Sequence, residues 1–579
     1  MKNLRRLLPY LRRRRSGITR GLVCLLVTTA FSVASPWVLR YAVDDLTAEV
    51  TRAKLWLYAG AILGLMACEG VFRYFMRMIL IGISRELEYD LRNDVFRHLT
   101  LLPQRYYQER RIGDLMSRAT NDLSAVRMVL GPGIMYTANT VATFVGAVAL
   151  MGAISPFLLL LSLLPLLVVS VLVRTVGRRI HDRFEAVQEQ LANLTAMAQE
   201  SFAGIRVVRA YTQEPHEEER FAAANRELLR RNQSLIRLFG SLYPGIQMLM
   251  GAGTLTVLWL GGGMVVRGSI SLGEFVAFSV YLTMLHWPMI ALGWVVNLFE
   301  RAEASMGRIA EMLDAEPEID DRLASAGPVA IRGEVEFRQL SFAYDGGPPV
   351  LREIELHVPA GQTVAIVGPT GSGKTTLVSL LSRMFEAPPG TVFVDGRDVR
   401  EIPLASLRGA VGFVPQETFL FSDSLGGNVA FGVPGVGAAR IDWAARVSQL
   451  AKDVDEFPKR YDTMVGERGI TLSGGQKQRT ALARALALEP RILVLDDSLS
   501  AVDTETEEQI LRGLREARAG RTTFLVSHRI STVKDADLIV VLKEGRLVER
   551  GRHEELLARG GFYAELHRKQ LLEREVEVA

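Results

Sequence analysis

The sequence predicts a multi-domain chain: a six-helix α-helical transmembrane domain with long cytoplasmic helix extensions, followed by a soluble α/β domain. Six apolar stretches fall within the first 300 residues, and the links between them alternate between short and long. Beyond about residue 330, short Val/Ile/Leu runs alternate with helical patterns, as a soluble α/β unit requires. With 579 residues and 49% hydrophobic side chains, the chain has room for several compact units and is apolar for a soluble protein of that size.

The chain opens MKNLRRLLPYLRRRR, a basic cluster ahead of an apolar run. A nucleic-acid arm and the cytoplasmic flank of a membrane helix both look like this. The stretch 18–43 decides for the membrane, because it is long enough to cross a ~30 Å hydrocarbon core at about 1.5 Å per residue. It is also too long for a signal-peptide core, so neither cleavage nor a nucleic-acid partner is expected. Further spans are expected at about 55–82, 130–153, 157–176, 241–265 and 272–297. The links after the first, third and fifth spans are short: DDLTAEVTRAK, Ser155-Pro156, and Arg267-Gly268-Ser269. Those after the second and fourth, 84–127 and 178–239, are long, charged and helical in period. The N-terminus and these links carry most of the Arg and Lys, which puts them in the cytoplasm, and six spans return the chain to that side. The expected location is the cytoplasmic (inner) membrane, with the lipid bilayer as the first partner. Cys24 and Cys68 both lie in apolar stretches and read as small hydrophobes, with neither a disulfide framework nor metal-ligand spacing.

The expected boundaries are a transmembrane domain over 1–320, a polar linker over 321–330 and a second domain over 331–579. In that domain GPTGSGKTT (368–376) matches G-x-x-x-x-G-K-[ST], with the strand-like TVAIV before it and a helical pattern after it. Gly368, Gly371 and Gly373 let backbone N–H groups turn inward around phosphate oxygens, with Pro369, Thr370, Ser372 and Thr376 completing the loop. Lys374 brings a point charge to the β/γ oxygens, Thr375 offers its hydroxyl to Mg2+, and the following helix adds its dipole. ILVLD (492–496) is a buried strand that would deliver Asp496 to the metal. The second domain is therefore an α/β P-loop nucleotide-binding domain.

LSGGQ (472–476) lies between these motifs, SAVD (500–503) follows the acidic strand, and SHR (527–529) comes later. Together they resemble an ATP-binding cassette, and the whole chain is similar to the half-transporters of the multidrug and lipid exporter group. The resemblance implies ATP hydrolysis coupled to export, with ATP and Mg2+ as cofactors. It implies that Tyr344 stacks on adenine, that Gln416 touches Mg2+ or the attacking water, and that His528 reaches the γ-phosphate. It implies further that Ser473, Gly474, Gly475 and Gln476 grip ATP on a partner's P-loop, that Asp503 crosses to that partner, and that Glu467 lies near incoming membrane helices. The stretches 105–124 and 204–215 would hold the coupling helices. Because LSGGQ acts in trans, the working unit would be two chains around two ATP molecules, the partner being a second half-transporter.

Asp497 departs from the family pattern, which places Glu directly after the metal-binding Asp. Asp is one methylene shorter, so its carboxylate should stand about 1.5 Å too far back. A base must come within about 2.6–3.2 Å of its proton, and a misplacement of 1 Å can cost about 10²-fold. Binding is expected to survive and hydrolysis at this chain's own P-loop to be slow. A poor base beside a complete LSGGQ fits one half of an asymmetric heterodimer. The alternatives are a homodimer in which Asp497 suffices or His528 carries more of the load, and a regulatory ATP-binding subunit that completes a partner's site. Six spans exclude a soluble repair or translation ATPase, and the absence of a receptor domain disfavours an importer.

The resemblance sets the substrate class as a hydrophobic or amphipathic small molecule, lipid or peptide. Glu69, Arg73 and Arg77 recur at i, i+4 and i+8 on one face of the second span. Charge in a span costs about 2.5–3.5 kcal/mol per group, so they read either as a polar wall of the substrate path or as a Glu–Arg pair tying two helices. Arg40 reads as a snorkelling cation. In MLHWPMIALGW (284–294), Met284, His286, Trp287, Met289 and Trp294 surround Pro288, a face suited either to bulky apolar substrates or to packing.

Overall fold

The computed structural model describes residues 2–344, 346–433, 435–466, 469–517 and 520–578, with the side chains of 166, 167, 170, 174, 289, 290, 292, 504, 516, 517 and 573–578 outside that description. The chain divides into two compact units, Met1–Thr100 with Arg111–Ala315, and Leu101–Arg110 with Glu316–Ala579.

The first unit is all helix. Its long elements are α1 (Arg15–Ala48), α2 (Arg52–Leu101), α3 (Ile112–Ile154), α4 (Pro156–Ala203), α5 (Glu214–Val266) and α6 (Leu272–Leu313). Five of them are long and apolar enough to cross a membrane; in α4 the described apolar portion is Pro156–Pro165. The 50 residues of α2 extend about 75 Å, more than twice the ~30 Å hydrocarbon thickness, so the helix runs on well past the bilayer. Of the stretches expected to hold coupling helices, Ile112–Ser117 is the first part of α3 and Ile205–Ala210 is a short helix between α4 and α5, while the short helix Gln104–Gln108 belongs to the second unit. The tight link between α3 and α4 is set by Ser155, whose Oγ accepts from the Leu158 N–H at 3.3 Å, with Pro156 at the first helical position. A reciprocal Ser271–Glu274 cap starts α6.

Two readings of intramembrane charge need correction. Arg40 does not simply snorkel: it pairs with Glu274 at 2.7 Å and stands 4.7 Å over the Trp37 ring, bridging α1 to α6. Glu69 and Arg73 do pair, but one turn apart on α2 itself rather than between two helices, and Arg77 is exposed. Beside Arg40, the Asp44 carboxylate accepts from the Ser271 hydroxyl and the Gly273 N–H, both at 2.7 Å. The backbones come so close there that a Cβ on Gly273 would lie 2.1 Å from the Arg40 carbonyl oxygen. Backbone cannot yield as a flexible side chain does, so Gly273→Ala is expected to cost about 1–3 kcal/mol, as overpacking does. The check is a lower melting temperature in detergent; an unchanged one would contradict the close approach.

Further along α6, Tyr281 is fully buried and donates to the Val33 carbonyl at 2.7 Å. Trp294 packs edge-on against Tyr136 at 5.2 Å, Trp287 is exposed, and Met284 is partly buried. The Met289 side chain and Glu467 lie outside the described residues.

The second unit holds two sheets. The smaller contains β1 (Val335–Phe342), β2 (Leu351–Val358), β4 (Val392–Val394) and β5 (Arg397–Asp398) in the order β2-β1-β4-β5, antiparallel throughout. The larger contains β3 (Thr363–Val367), β6 (Val411–Val414), β7 (Ile492–Asp496), β8 (Thr522–Val526), β9 (Leu538–Lys543) and β10 (Arg546–Gly551) in the order β10-β9-β3-β8-β7-β6. All its pairs are parallel except β10–β9. Every residue of β3, β7 and β8 is buried, which explains the apolar runs VAIV in β3 and ILVL in β7: both faces are covered. Alternation divides them between two cores. Val364, Ile366, Val494 and Phe524 pack toward the smaller sheet, while Ala365, Val367, Leu493, Leu495 and Leu525 face the helical side.

Candidate nucleotide-binding site

Parallel strands bring their carboxyl ends to one edge, and the residues just beyond them form a cleft there. The loop after β3 runs into α7 (Lys374–Leu381), Gln416 follows β6, Asp496 ends β7, and Ser527 and His528 follow β8. The cleft has a volume of about 270 Å³, and its lining includes Gly368, Thr370, Gly371, Gly373, Lys374, Thr375, Thr376, Gln416, Asp496, Asp497 and His528. These are among the residues singled out from sequence. Ser527 and Val350 line it as well, and neither was anticipated, although Ser527 belongs to the SHR triplet already marked.

Glycine is required in the loop for two separate reasons. A Cβ on Gly368 would lie 2.0 Å from the Leu542 carbonyl oxygen, and Gly373 holds φ +100°, which L side chains rarely adopt. Gly373 leads into α7, whose first N–H groups have no intrahelical partner and point at the cleft. The Lys374 ammonium donates to the carbonyls of Gly368 (2.9 Å) and Pro369 (2.8 Å). Burial pushes its pKa below the ordinary lysine value, against the opposing pull of Asp496 and Asp497.

Asp496 is 1% exposed, and burial raises its carboxyl above the usual range. Its Oδ1 accepts from the Thr375 hydroxyl at 3.2 Å, while the buried Oδ2 has no hydrogen-bond partner. An orphaned buried carboxylate oxygen beside a hydroxyl and an amide is an all-oxygen donor set that suits a hard divalent cation. The next residue, Asp497, holds φ +46° with its N–H on the Val526 carbonyl at 2.8 Å. Asp tolerates this left-handed conformation better than most residues, and strain of this kind gathers at functional sites. Its Oδ1 lies 3.0 Å from Nδ1 of His528.

Tyr344 sits 38% exposed, its ring edge-on to Phe342 and Phe385 at 5.1 Å and its hydroxyl 2.9 Å from Thr376 Oγ1. Pro369, Ser372, Tyr344, Asp503 and the LSGGQ residues are not among those lining the cleft. Ser473 and Gln476 instead form a reciprocal cap at the start of α8 (Gly474–Ala487): Ser473 Oγ accepts from the Gln476 N–H at 3.3 Å, and Gln476 Oε1 accepts from the Ser473 N–H at 2.9 Å. Gly474 and Gly475 both pack against Ala501, where a Cβ on Gly475 would lie 3.2 Å from the Ala501 carbonyl oxygen. Gln478 ties that helix to the same loop, donating to Ser500 Oγ (3.1 Å) and accepting from the Ala501 N–H (2.9 Å). The Asp503 carboxylate accepts from the Thr506 N–H at 2.9 Å, which holds it below its ordinary pKa and caps α9 (Thr504–Ala517).

Both parts of the chain resemble known proteins. Residues 18–289 match the model of the ABC transporter transmembrane region, and residues 351–500 match the model described as ABC transporter. The chain is 38% identical to a probable multidrug resistance ABC transporter ATP-binding/permease protein, YheI, of Bacillus subtilis, over 96% of this chain and 95% of that one. This chain belongs to the ABC exporter family. It is also 33% identical to an ATP-dependent lipid A-core flippase of Syntrophus aciditrophicus, over 100% of this chain and 96% of the flippase. A solved bacterial Atm1-family ABC exporter with ATP bound superimposes with a TM-score of 0.80 at 30% identity, covering 97% of this chain and 99% of that one. As an ABC exporter, the chain is a multi-span membrane protein with a cytoplasmic nucleotide-binding domain, and its ATPase activity drives transport.

Proposed function

We propose that this chain is one half of a heterodimeric exporter of hydrophobic or amphipathic compounds, and that its own P-loop binds ATP but hydrolyses it slowly. Residues 1–320 form its membrane half, 321–330 the linker and 331–579 the cassette. The observation that carries the reading is the pairing of a short carboxylate, Asp497, with an LSGGQ whose Ser473–Gln476 cap is complete. Binding rests on the loop 368–376, with adenine against Tyr344. The orphaned Asp496 oxygen, Thr375 and Gln416 would hold Mg2+. Bound there, Mg2+ would neutralise charge on the β- and γ-phosphate oxygens. His528 contacts the γ-phosphate, while Ser473, Gly474, Gly475, Gln476 and Asp503 serve the partner's ATP. The names of the relatives, multidrug and lipid A-core exporters, support an apolar or amphipathic substrate. Met284, Trp287, Met289 and Trp294, with the Glu69, Arg73 and Arg77 row, are the candidates for its path.

One observation favours a second reading. The 3.0 Å Asp497–His528 contact would let Asp497 orient His528, which then serves as the base in a homodimer. Purification of the tagged chain from its native membrane separates the two. The heterodimer reading expects a different half-transporter at 1:1, carrying Glu where this chain has Asp497; recovery of this chain alone would contradict it.

A further inference from the structure

The C-terminal helix α11 (Phe562–Val578) reaches the loop that carries His528 through one side chain. The Gln570 amide grips that loop at two points: its Nε2–H donates to the His528 carbonyl, and its Oε1 accepts from the Ile530 N–H at 2.9 Å. Ile530 opens α10 (Ile530–Val533), a single turn whose leading N–H groups lack intrahelical partners, so Gln570 supplies what the turn cannot supply itself. The helix that carries Gln570 is fixed upstream. Tyr563 is fully buried with its hydroxyl 2.8 Å from Nδ1 of His553, and its N–H donates to Glu549 at 3.3 Å. Tyr563, Leu566 and Gln570 recur at i, i+3 and i+7, so the packed face of the helix is also the face that presents the amide. Arg529 holds the loop from its other side, donating to Glu507 at 2.7 Å and to the Ser500 carbonyl at 3.0 Å.

We propose that Gln570 is a positioning residue for ATP hydrolysis: it fixes the backbone at His528 so that the imidazole faces Asp497 and the γ-phosphate site. The inference rests on the assignment of His528 to the γ-phosphate made above. No motif marks Gln570, and it touches none of the cleft lining directly except through the His528 backbone.

The test uses the full chain in lipid, in whichever of wild type and Asp497→Glu turns over faster, with Gln570→Ala, Gln570→Glu, His528→Ala and the Gln570→Ala/His528→Ala double variant. Gln570→Glu keeps the acceptor for Ile530 and loses the donor to His528, so helix docking survives while the second grip goes. Both Gln570 variants are expected to lose on the order of 10-fold in kcat, within the roughly 10² that a 1 Å misplacement can cost, with KM for ATP unchanged and, in Gln570→Glu, the melting temperature unchanged as well. The double variant should be no slower than His528→Ala alone, because Gln570 acts only through His528. Gln570 variants within two-fold of their parent, or losses that add in full to that of His528→Ala, would overturn the positioning role. If His528→Ala itself leaves kcat and KM untouched, the assignment of His528 fails first and this inference falls with it.

Discussion

Lys374→Ala is expected to remove most of the rise in melting temperature that ATP gives the wild-type chain. A ligand at 100 times its Kd stabilises by about 2.7 kcal/mol, so the wild-type shift is large enough to read. The expectation follows from charge. Lys374 is the cation among the side chains named in the cleft, facing the carboxylates of Asp496 and Asp497. Without it, a polyanionic nucleotide meets two carboxylates and no cationic side chain of the cleft, so only Mg2+ and the α7 dipole offset the repulsion. The carbonyls of Gly368 and Pro369 also lose their donor. Lost affinity should reach roughly 10²-fold or more, as when one preorganised donor to a developing charge is removed. Lys374→Arg should recover little, because a planar fork does not replace a compact ammonium. An ATP-dependent shift in Lys374→Ala equal to that of the wild type would mean that the loop backbone and the α7 dipole suffice.

Local chemistry was legible in the sequence, and contacts between distant residues were not. The apolar runs of β3 and β7 announce buried strands, and the P-loop spacing places Lys374 and Thr375 at a helix start. Ser155-Pro156 reads as a break between two spans, and one helix ends at Ile154 and the next starts at Pro156. Arg40 was misread because its partner, Glu274, lies more than 230 residues away, and neither periodicity nor spacing reaches that far. The Glu69–Arg73 pair was legible as a pair, since i, i+4 neighbours meet on any helix, but it closes within α2 rather than between two helices. Gln570 left no signal: a glutamine on a largely polar C-terminal helix looks like any solvated polar residue until the loop it holds is folded against it. The left-handed φ of Asp497 was likewise invisible, because Asp is compatible with many conformations and demands none.

The short carboxylate is the central claim, and Asp497→Glu tests it most directly. The substitution keeps the charge of the cleft and leaves the Asp496–Thr375 pair in place; it extends the carboxylate by one methylene, about 1.5 Å, and with it shifts the contact to His528. A general base that moves from beyond contact into the roughly 2.6–3.2 Å range regains most of what misplacement removed. The measurement is the ATPase rate of the purified chain alone in lipid, wild type against Asp497→Glu, at saturating ATP and Mg2+. A wild type near background and a Glu variant faster by roughly ten-fold or more is the expected result, since about 1.4 kcal/mol of recovered barrier gives ten-fold. A wild type that already turns over at a rate the Glu variant barely improves would contradict it, and would leave Asp497, with His528, as an adequate base in a homodimer.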